Sequence, residues 1–515
     1  MISCVVIPFL NASAKGDFIL CRKESDFVYF TKVSFKAGVG SDGFSPKGWK
    51  EVVPSSFDIP PRYLEACRML SVKDGEKGPW QEKIPSRQVV TPAEFRPLLA
   101  SQAGDLPLLV NGLLESSSEQ WTQRQLHHLY QATSELEGFL DAFHAKQSQE
   151  YFKVRELVAF VRWISAGISP LMHLYSRLPS YPVVDPEWTQ ESLSPQVQQT
   201  ALKLGKILEK TMQGLRDEWV RAGLLWPDGS LRLESLSPGK AMQALAADRV
   251  QVAAPASGRT VGARQAGQFL ALAQSWAPLS QGALAKEDQS LFMARYCTEV
   301  IARRAEAQAH NFQSTYDTYV AGTEEEATCS SLPLLRGISG VVLHLCEMVT
   351  PLTHLFERHD IFEKEDESKE LFHKHVDQKL LMEIIINSGV LMAYECLLKG
   401  LPVAEKVLEG LTDQGSCTLE IPPGISLHAR PLSLIVSVVQ HHGTPVEMEI
   451  DGGRTNAASM MQLLIALGTH PHPQRVTFFG DSAPLADLRH LFEANLGEGG
   501  LDQLPRELSY LRLSS

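Results

Sequence analysis

The chain has 515 residues, a formal net charge of −12 and 44% hydrophobic residues. This length suggests about three domains, and the apolar content is sufficient for several cores. The acidic balance argues against nucleic acid as a main partner, because phosphate backbones favour clustered lysine and arginine. The eight cysteines are sparse and form no CxxC pair, which points to reduced thiols rather than a disulfide framework.

The first residues lack the basic segment of a signal peptide, and no apolar stretch of membrane length is evident along the chain. We therefore expect a cytoplasmic protein with no membrane span.

Residues 1–100 are expected to form a mixed, strand-containing segment of unknown role. Apolar residues alternate or cluster at 5–10, 18–20 and 27–35, between glycine-bearing turns. The glycines of residues 38–43 formally match a dinucleotide fingerprint, but the residues that follow cannot open a helix well. We interpret this motif as a turn.

Residues 119–412 are predicted to be mainly helical and internally repeated. The sequence SPLMHLYSR at 169–177 recurs as TPLTHLFER at 350–358, a shift of 181 residues. Upstream of each copy, apolar residues recur at spacings of three and four, as on the packed face of a helix. We predict a duplicated helical bundle with pseudo-twofold symmetry. The two repeats and their connection have these bounds: about 119–181, about 287–360, and a linker near 227–262.

Each repeat carries a histidine and an arginine one helical turn apart, His173 with Arg177 and His354 with Arg358. Such residues could build a symmetric site for an anion or, through the histidines, a metal. Packed or solvent-facing histidines are the favoured explanation, because no complete ligand set is visible, so we assign no metal. Because no nucleophile, base and orienting group occur together, we expect a sensor or partner-binding platform rather than a second catalyst.

Residues 424–431 read GISLHARP, which places His428 and Arg430 where a strand-like run gives way to a helix. The unpaired amides and positive dipole end of a helix start favour an anion, and the guanidinium of Arg430 can pair with two phosphate oxygens. Over residues 415–500, apolar patterns and turn signals predict the order βαββαβα.

The motif and this order resemble the HPr phosphocarrier family of the bacterial sugar phosphotransferase system. The resemblance implies an α+β open-faced sandwich at the C-terminus of a multidomain, mainly α chain. It also implies that His428 accepts phosphate on Nδ1 from an enzyme I-type donor while Arg430 steadies it. The chain would then be a phosphocarrier component that regulates sugar transport, rather than a stand-alone enzyme, and would need no cofactor. A downstream phosphoacceptor or regulatory protein completes the expected partners, and a homodimer is left open.

Two departures from the family support an alternative function. Ser426 stands where the family usually has glycine, and bulky Leu432 replaces a small residue, so the partner surface is expected to differ. The domain would then be a non-transferring interaction or regulatory module on a helical scaffold. Ser459 aligns with a serine that a kinase modifies in some family members. A capping box with Gln462 would explain Ser459 without any regulation.

Overall fold

The computed structural model divides into two compact units, Met1–Val90 together with Ser514–Ser515, and Thr91–Leu513. The glycine motif at 38–43 and most of the predicted linker near 227–262 lie outside the described residues. The structure describes the following residues: 3–9, 17–24, 27–34, 89–183, 185–231, 261–281, 289–361, 366–470 and 473–512.

The first unit contains an antiparallel sheet of three strands, β1 (Ser3–Phe9), β2 (Asp17–Glu24) and β3 (Phe27–Ser34). The strand order is β1-β2-β3, with Cys21 opposite both Val5 and Phe30. The strands predicted in this segment are therefore present, each within a few residues of its expected place.

The second unit is mainly helical, which confirms the predicted helical class. Its longer helices up to residue 411 are, in chain order, α1 (Pro92–Ala103), α2 (Leu106–Leu114), α3 (Gln123–Ala142), α4 (Phe152–Arg177), α5 (Ser194–Arg221), α6 (Val261–Ser275), α7 (Gln289–Tyr296), α8 (Glu299–Tyr319), α9 (Leu332–Phe356), α10 (Asp366–His375), α11 (Gln378–Glu383) and α12 (Met392–Leu411).

Helices α4 and α9 form the centre of the bundle and pack against each other. α4 also packs between α3 and α5, while α9 packs between α8 and α12. Both central helices bury apolar residues at spacings of three and four, which explains why these sequences form packed helices rather than strands. π-helical turns extend the bundle at Thr189–Leu193, Glu357–Ile361 and Ile384–Leu391.

The expectation of no membrane span is wrong. Phe152–Ser180, Leu332–Ile361 and Gln378–Leu411 are long and apolar enough to cross a membrane, with mean hydropathies of 1.4, 1.4 and 1.6. Serine, glycine, threonine and histidine interrupt their apolar runs and hide them from a search for unbroken stretches, although these residues lower the mean hydropathy little. Of the most apolar part of each segment, 61%, 72% and 67% is buried inside the protein.

The C-terminal part of the second unit contains a small antiparallel sheet of four strands. Across the sheet, the strands lie in the order β4 (Gln414–Glu420), β7 (Arg475–Asp481), β5 (Val446–Ile450) and β6 (Gly453–Asn456). The buried side of the sheet includes Met448 and Phe478, which pack with Leu432, Ile435 and Leu488 of the helices. The elements are β4 (Gln414–Glu420), α13 (Ala429–His442), β5 (Val446–Ile450), β6 (Gly453–Asn456), α14 (Met460–Thr469), β7 (Arg475–Asp481) and α15 (Ser482–Glu493).

Candidate functional site

His428 lies at the start of α13, directly after the loop that follows β4. Its backbone is extended, and its carbonyl accepts a hydrogen bond from the N–H of Leu432. Its ring Nδ1 accepts a hydrogen bond from the backbone N–H of Arg430 at 3.3 Å. His428 therefore caps the helix with a ring nitrogen, and that nitrogen faces the positive end of the helix dipole.

The other ring nitrogen of His428 faces a carboxylate. Its Nε2 lies 3.4 Å from Oε1 of Glu498, and 52% of the side chain is exposed. A nitrogen that accepts a hydrogen bond carries a lone pair, so we assign the ring proton to Nε2, next to the carboxylate. This tautomer leaves Nδ1 as the nucleophilic nitrogen.

A left-handed turn after α15 delivers Glu498 to this position. Asn495, Leu496 and Gly497 have φ angles of 52°, 53° and 73°, a region that residues other than glycine rarely adopt. The guanidinium of Arg430 donates to the carbonyl of Gly497 at 3.3 Å, which ties the turn to the start of α13. The sequence analysis missed Glu498, because a carboxylate 70 residues along the chain has no local signal that links it to His428.

A concave polar surface borders the loop before His428. A cavity of about 400 Å³ is lined by residues 421–427, by Leu467 of α14 and by Gln474. On α14, Met461 and Ile465 are 68% and 61% exposed, although both are apolar. Exposed apolar side chains grouped on one helix are typical of surfaces that bind another molecule.

Of the two residues expected to alter the partner surface, Leu432 does not lie on the surface. Leu432 is completely buried in the core, so its bulk does not alter what a partner meets. Ser426 is exposed, and its carbonyl accepts the N–H of His428 at 3.0 Å.

Ser459 caps α14, as the capping interpretation predicts. Its Oγ accepts the N–H of Gln462 at 3.4 Å. In a complete capping box the side chain of Gln462 would accept the N–H of Ser459. Here it accepts the N–H of Asn456 at 3.2 Å instead, so only one of the two capping-box bonds is present.

The far end of α13 packs against the helical bundle. A side chain at Gly267 of α6 would collide with the carbonyl of Gly443, the residue at which α13 ends. Asn456 also donates to Gln274 of α6 at 3.4 Å. Since α13 has 14 residues, its two ends are roughly 21 Å apart. His428 is thus at the end of α13 remote from α6.

His173 lies in a cluster of polar side chains between α4 and α9. Its ring is 4.8 Å from the ring of His344. The Nδ1 of His344 bonds to Glu347 at 2.7 Å, and its Nε2 bonds to the hydroxyl of Tyr181 at 3.2 Å. Burial lowers the pKa of His173, and the charges of His344 and Arg177 lower it further. His173 is therefore set up as a neutral imidazole.

His354 lies in a different cluster. Its ring is 4.0 Å from the ring of Trp163, and its Nδ1 contacts Glu299 at 3.1 Å. Arg303 and Arg358 pair with the same carboxylate at 2.8 and 3.3 Å. Burial alone would raise the pKa of Glu299, but the hydrogen bonds from His354 and Arg303 outweigh it and lower the pKa to about 2.

The structure does not bring His173 and His354 together. The contacts of His173 with His344 and of His354 with Trp163 require α4 and α9 to run antiparallel. Because positions 163 and 173 are ten residues apart on α4, the two clusters are separated by about 15 Å along the helix. The two histidines therefore do not form one shared ligand site.

The two clusters nevertheless share the same sequence offset. Positions 173 and 354 differ by 181 residues, and so do positions 163 and 344, so each contact joins the same two positions with the helices exchanged. A second contact recurs within each half, without any exchange of helices. Arg155 holds Asp141 through Nε and Nη2 at 2.7 and 2.9 Å, and Arg336, also shifted by 181, holds Asp317 through the same atoms at 2.6 and 2.9 Å.

A buried ionic network, which the sequence analysis missed, links α3, α4 and the turn after α9. Glu156 is completely buried and bonds to Nδ1 of His359 at 2.8 Å and to Arg155 at 3.0 Å. Arg155 and Arg162 both pair with Glu137, at 3.1 and 2.8 Å. Burial would raise the pKa of Glu156, but the bond from His359 and the nearby positive charges lower it to about 2.

Among the residues that the structure describes, no three histidine, cysteine, aspartate or glutamate side chains are placed to hold a metal ion. Comparison with protein-family models, with curated proteins and with solved structures finds no match for this chain.

Proposed function

We propose that residues 415–500 form an HPr-like phosphocarrier domain in which Nδ1 of His428 accepts a phosphoryl group from an enzyme I-type donor. The observation that carries this proposal is the orientation of the ring. Nδ1 has its lone pair at the start of a helix, and Nε2 faces Glu498. The strand and helix order β4-α13-β5-β6-α14-β7-α15 supports the same assignment.

In this proposal the bond between phosphorus and the donor's nitrogen breaks as the bond from Nδ1 forms. The ring gains positive charge during the attack while its proton stays on Nε2, and Glu498 stabilises that charge. The N–H groups at the start of α13 and the guanidinium of Arg430 stabilise the phosphoryl oxygens. All of these groups come from one end of α13.

The donor would approach from outside the bundle. His428 lies at the end of α13 remote from α6, and Leu467 of α14 lines the cavity beside the loop that precedes His428. A partner that covers this cavity would desolvate the site as it docks.

Incubation of the full chain with purified enzyme I and phosphoenolpyruvate tests the proposal. We expect acid-labile label on the wild type, none on His428→Ala, and normal label on His470→Ala. His470 is a matched control because it is also a partly exposed histidine, paired with Asp451 at 3.4 Å. Label retained in His428→Ala, or no label on the wild type, contradicts the proposal.

The exposed Ser426 favours a second candidate, a non-transferring module of the same fold. This module would bind the same class of partner without accepting phosphate. An unlabelled wild type that still binds enzyme I would favour this function.

We also infer that the helical region is a duplication and serves as a partner-binding platform. In a pair with twofold symmetry, position i of one copy contacts position j of the other, and j contacts i. The contacts of His173 with His344 and of His354 with Trp163 follow this rule. Pull-downs with unphosphorylated and phosphorylated protein test the platform, and a partner set that is indifferent to phosphate would contradict a reporting role.

A further inference from the structure

The second half of the bundle contains a cavity of about 290 Å³ between α8, α9 and α12. This volume is roughly twice that of an engineered apolar cavity that binds benzene. Most of the lining is apolar, and it includes Ala302, Ala305 and Val349.

At the related positions of the first half of the bundle, larger side chains are buried. α3 and α8 both begin after a threonine whose hydroxyl caps the helix, Thr122 and Thr298. Counted from these caps, Cys297, Ala302 and Ala305 take the places of three large residues that are buried in the first half, namely Trp121, Leu126 and Leu129. Three lining residues on and just before α8 are thus smaller than their counterparts in the first half.

The lining is uncharged inside and positive at its rim. Burial raises the pKa of the Cys297 thiol to about 12 and also raises that of Cys346, so both line the cavity as neutral, weakly polar groups. Arg304 and Gln308, both exposed, form one edge. Arg304 forms no ion pair with any residue in the described part of the chain, whereas the preceding Arg303 pairs with Glu299.

We propose that this cavity binds a medium-chain carboxylate, with its hydrocarbon chain against Ala302, Ala305 and Val349 and its carboxylate paired with Arg304. A largely apolar, concave volume accounts for the chain, and an unpaired guanidinium at the rim accounts for the acid. The ligand class is independent of the proposed phosphocarrier function, since the cavity lies in the bundle and His428 lies in the C-terminal sheet domain.

Isothermal titration of the full chain with decanoate, hexanoate and decanol tests the proposal. We expect saturable binding of one decanoate. Each methylene contributes roughly fourfold, so hexanoate should bind on the order of 100-fold more weakly. Arg304→Gln should weaken decanoate about 10-fold and leave decanol unchanged. Lys206→Gln, which removes a positive charge from an exposed position on α5, should change neither.

Ala305→Leu, which restores the residue type of the first half, should abolish binding by filling the cavity. Its circular dichroism and thermal melt establish whether it folds, and Ala302→Val replaces it if it does not. No saturable binding by the wild type, or undiminished binding by a folded filling variant, overturns the site. Equal binding of decanol and decanoate overturns the assignment to carboxylates.

Discussion

His428 and His359 both face a carboxylate, yet their surroundings differ. His428 is 52% exposed and lies 3.4 Å from Glu498, while the His359 side chain is 6% exposed and lies 2.8 Å from Glu156. The nitrogen of His428 that does not face the carboxylate meets only a backbone N–H and solvent. The ring of His359 packs edge-on against Phe160 in the core. The comparison separates a histidine available for chemistry from one that holds helices together.

The largest expected effect on stability comes from breaking the buried pair. Glu156→Gln leaves the buried His359 without its carboxylate and removes one of the three carboxylates that pair with Arg155, and we expect a loss of about 3–5 kcal/mol. Glu449→Gln is the control, since its pair with Arg454 is solvent-exposed and worth about 0–1 kcal/mol. Urea unfolding followed by helical circular dichroism measures both. Label on His428 should be retained wherever the variant is folded, and a cost below about 1 kcal/mol would mean that the network is not structural.

Lowering the pH should destabilise the wild type, because it protonates carboxylates that their ion pairs keep charged. The pKa values of Glu156 and Glu299 are both about 2 in the folded protein, against about 4.3 in an unfolded chain. Because these pKa values are lowered on folding, the stabilisation is fully present above about pH 4.3 and is lost as the pH falls towards 2. The urea midpoint should fall over this range, and less steeply in Glu156→Gln than in Glu449→Gln. Parallel curves for these two variants would contradict the prediction.

The sequence predicted those parts of the molecule that depend on local signals. The order βαββαβα predicted for residues 415–500 is also the order of the observed elements, because alternation, helical spacing and caps are local. His428 and Arg430 are adjacent in sequence and in space. Glu498 reaches the site only through a left-handed turn, and the bond between His359 and Glu156 spans 203 residues. Such contacts depend on packing, which no local pattern encodes.

Predictions from the sequence repeat were limited for the same reason, because packing decides which positions meet. His173 and His354 were recognised as related positions, but antiparallel packing of α4 and α9 separates them into two clusters. Their partners, His344 and Trp163, had no apparent role in the sequence.

Two variants test the role of charge around the exposed His428. Arg430→Ala should slow phosphoryl acceptance on the order of 10-fold without preventing it, because the helix-start amides are retained. Glu498→Gln retains an acceptor for the Nε2 proton and removes only the negative charge. We expect it to be about threefold to tenfold slower. Rapid-quench labelling measures both rates. A faster Glu498→Gln would show that the carboxylate repels the incoming phosphate more than it stabilises the ring.

The smallest expected effect concerns Ser459, which caps α14 as Thr122 caps α3 in the bundle. Thr122 makes both bonds of a capping box, whereas Ser459 makes only one, so Ser459→Ala should cost about 0.5–1 kcal/mol and Thr122→Ala more. Ser459→Asp should retain the cap, because aspartate is also a favoured capping residue, and it adds the charge that phosphorylation would bring. If Ser459 is only a cap, Ser459→Asp will match the wild type in both stability and labelling by enzyme I. Slower labelling of a fully stable Ser459→Asp variant would instead indicate that a charge at this position, next to the exposed face of α14, regulates docking of the donor.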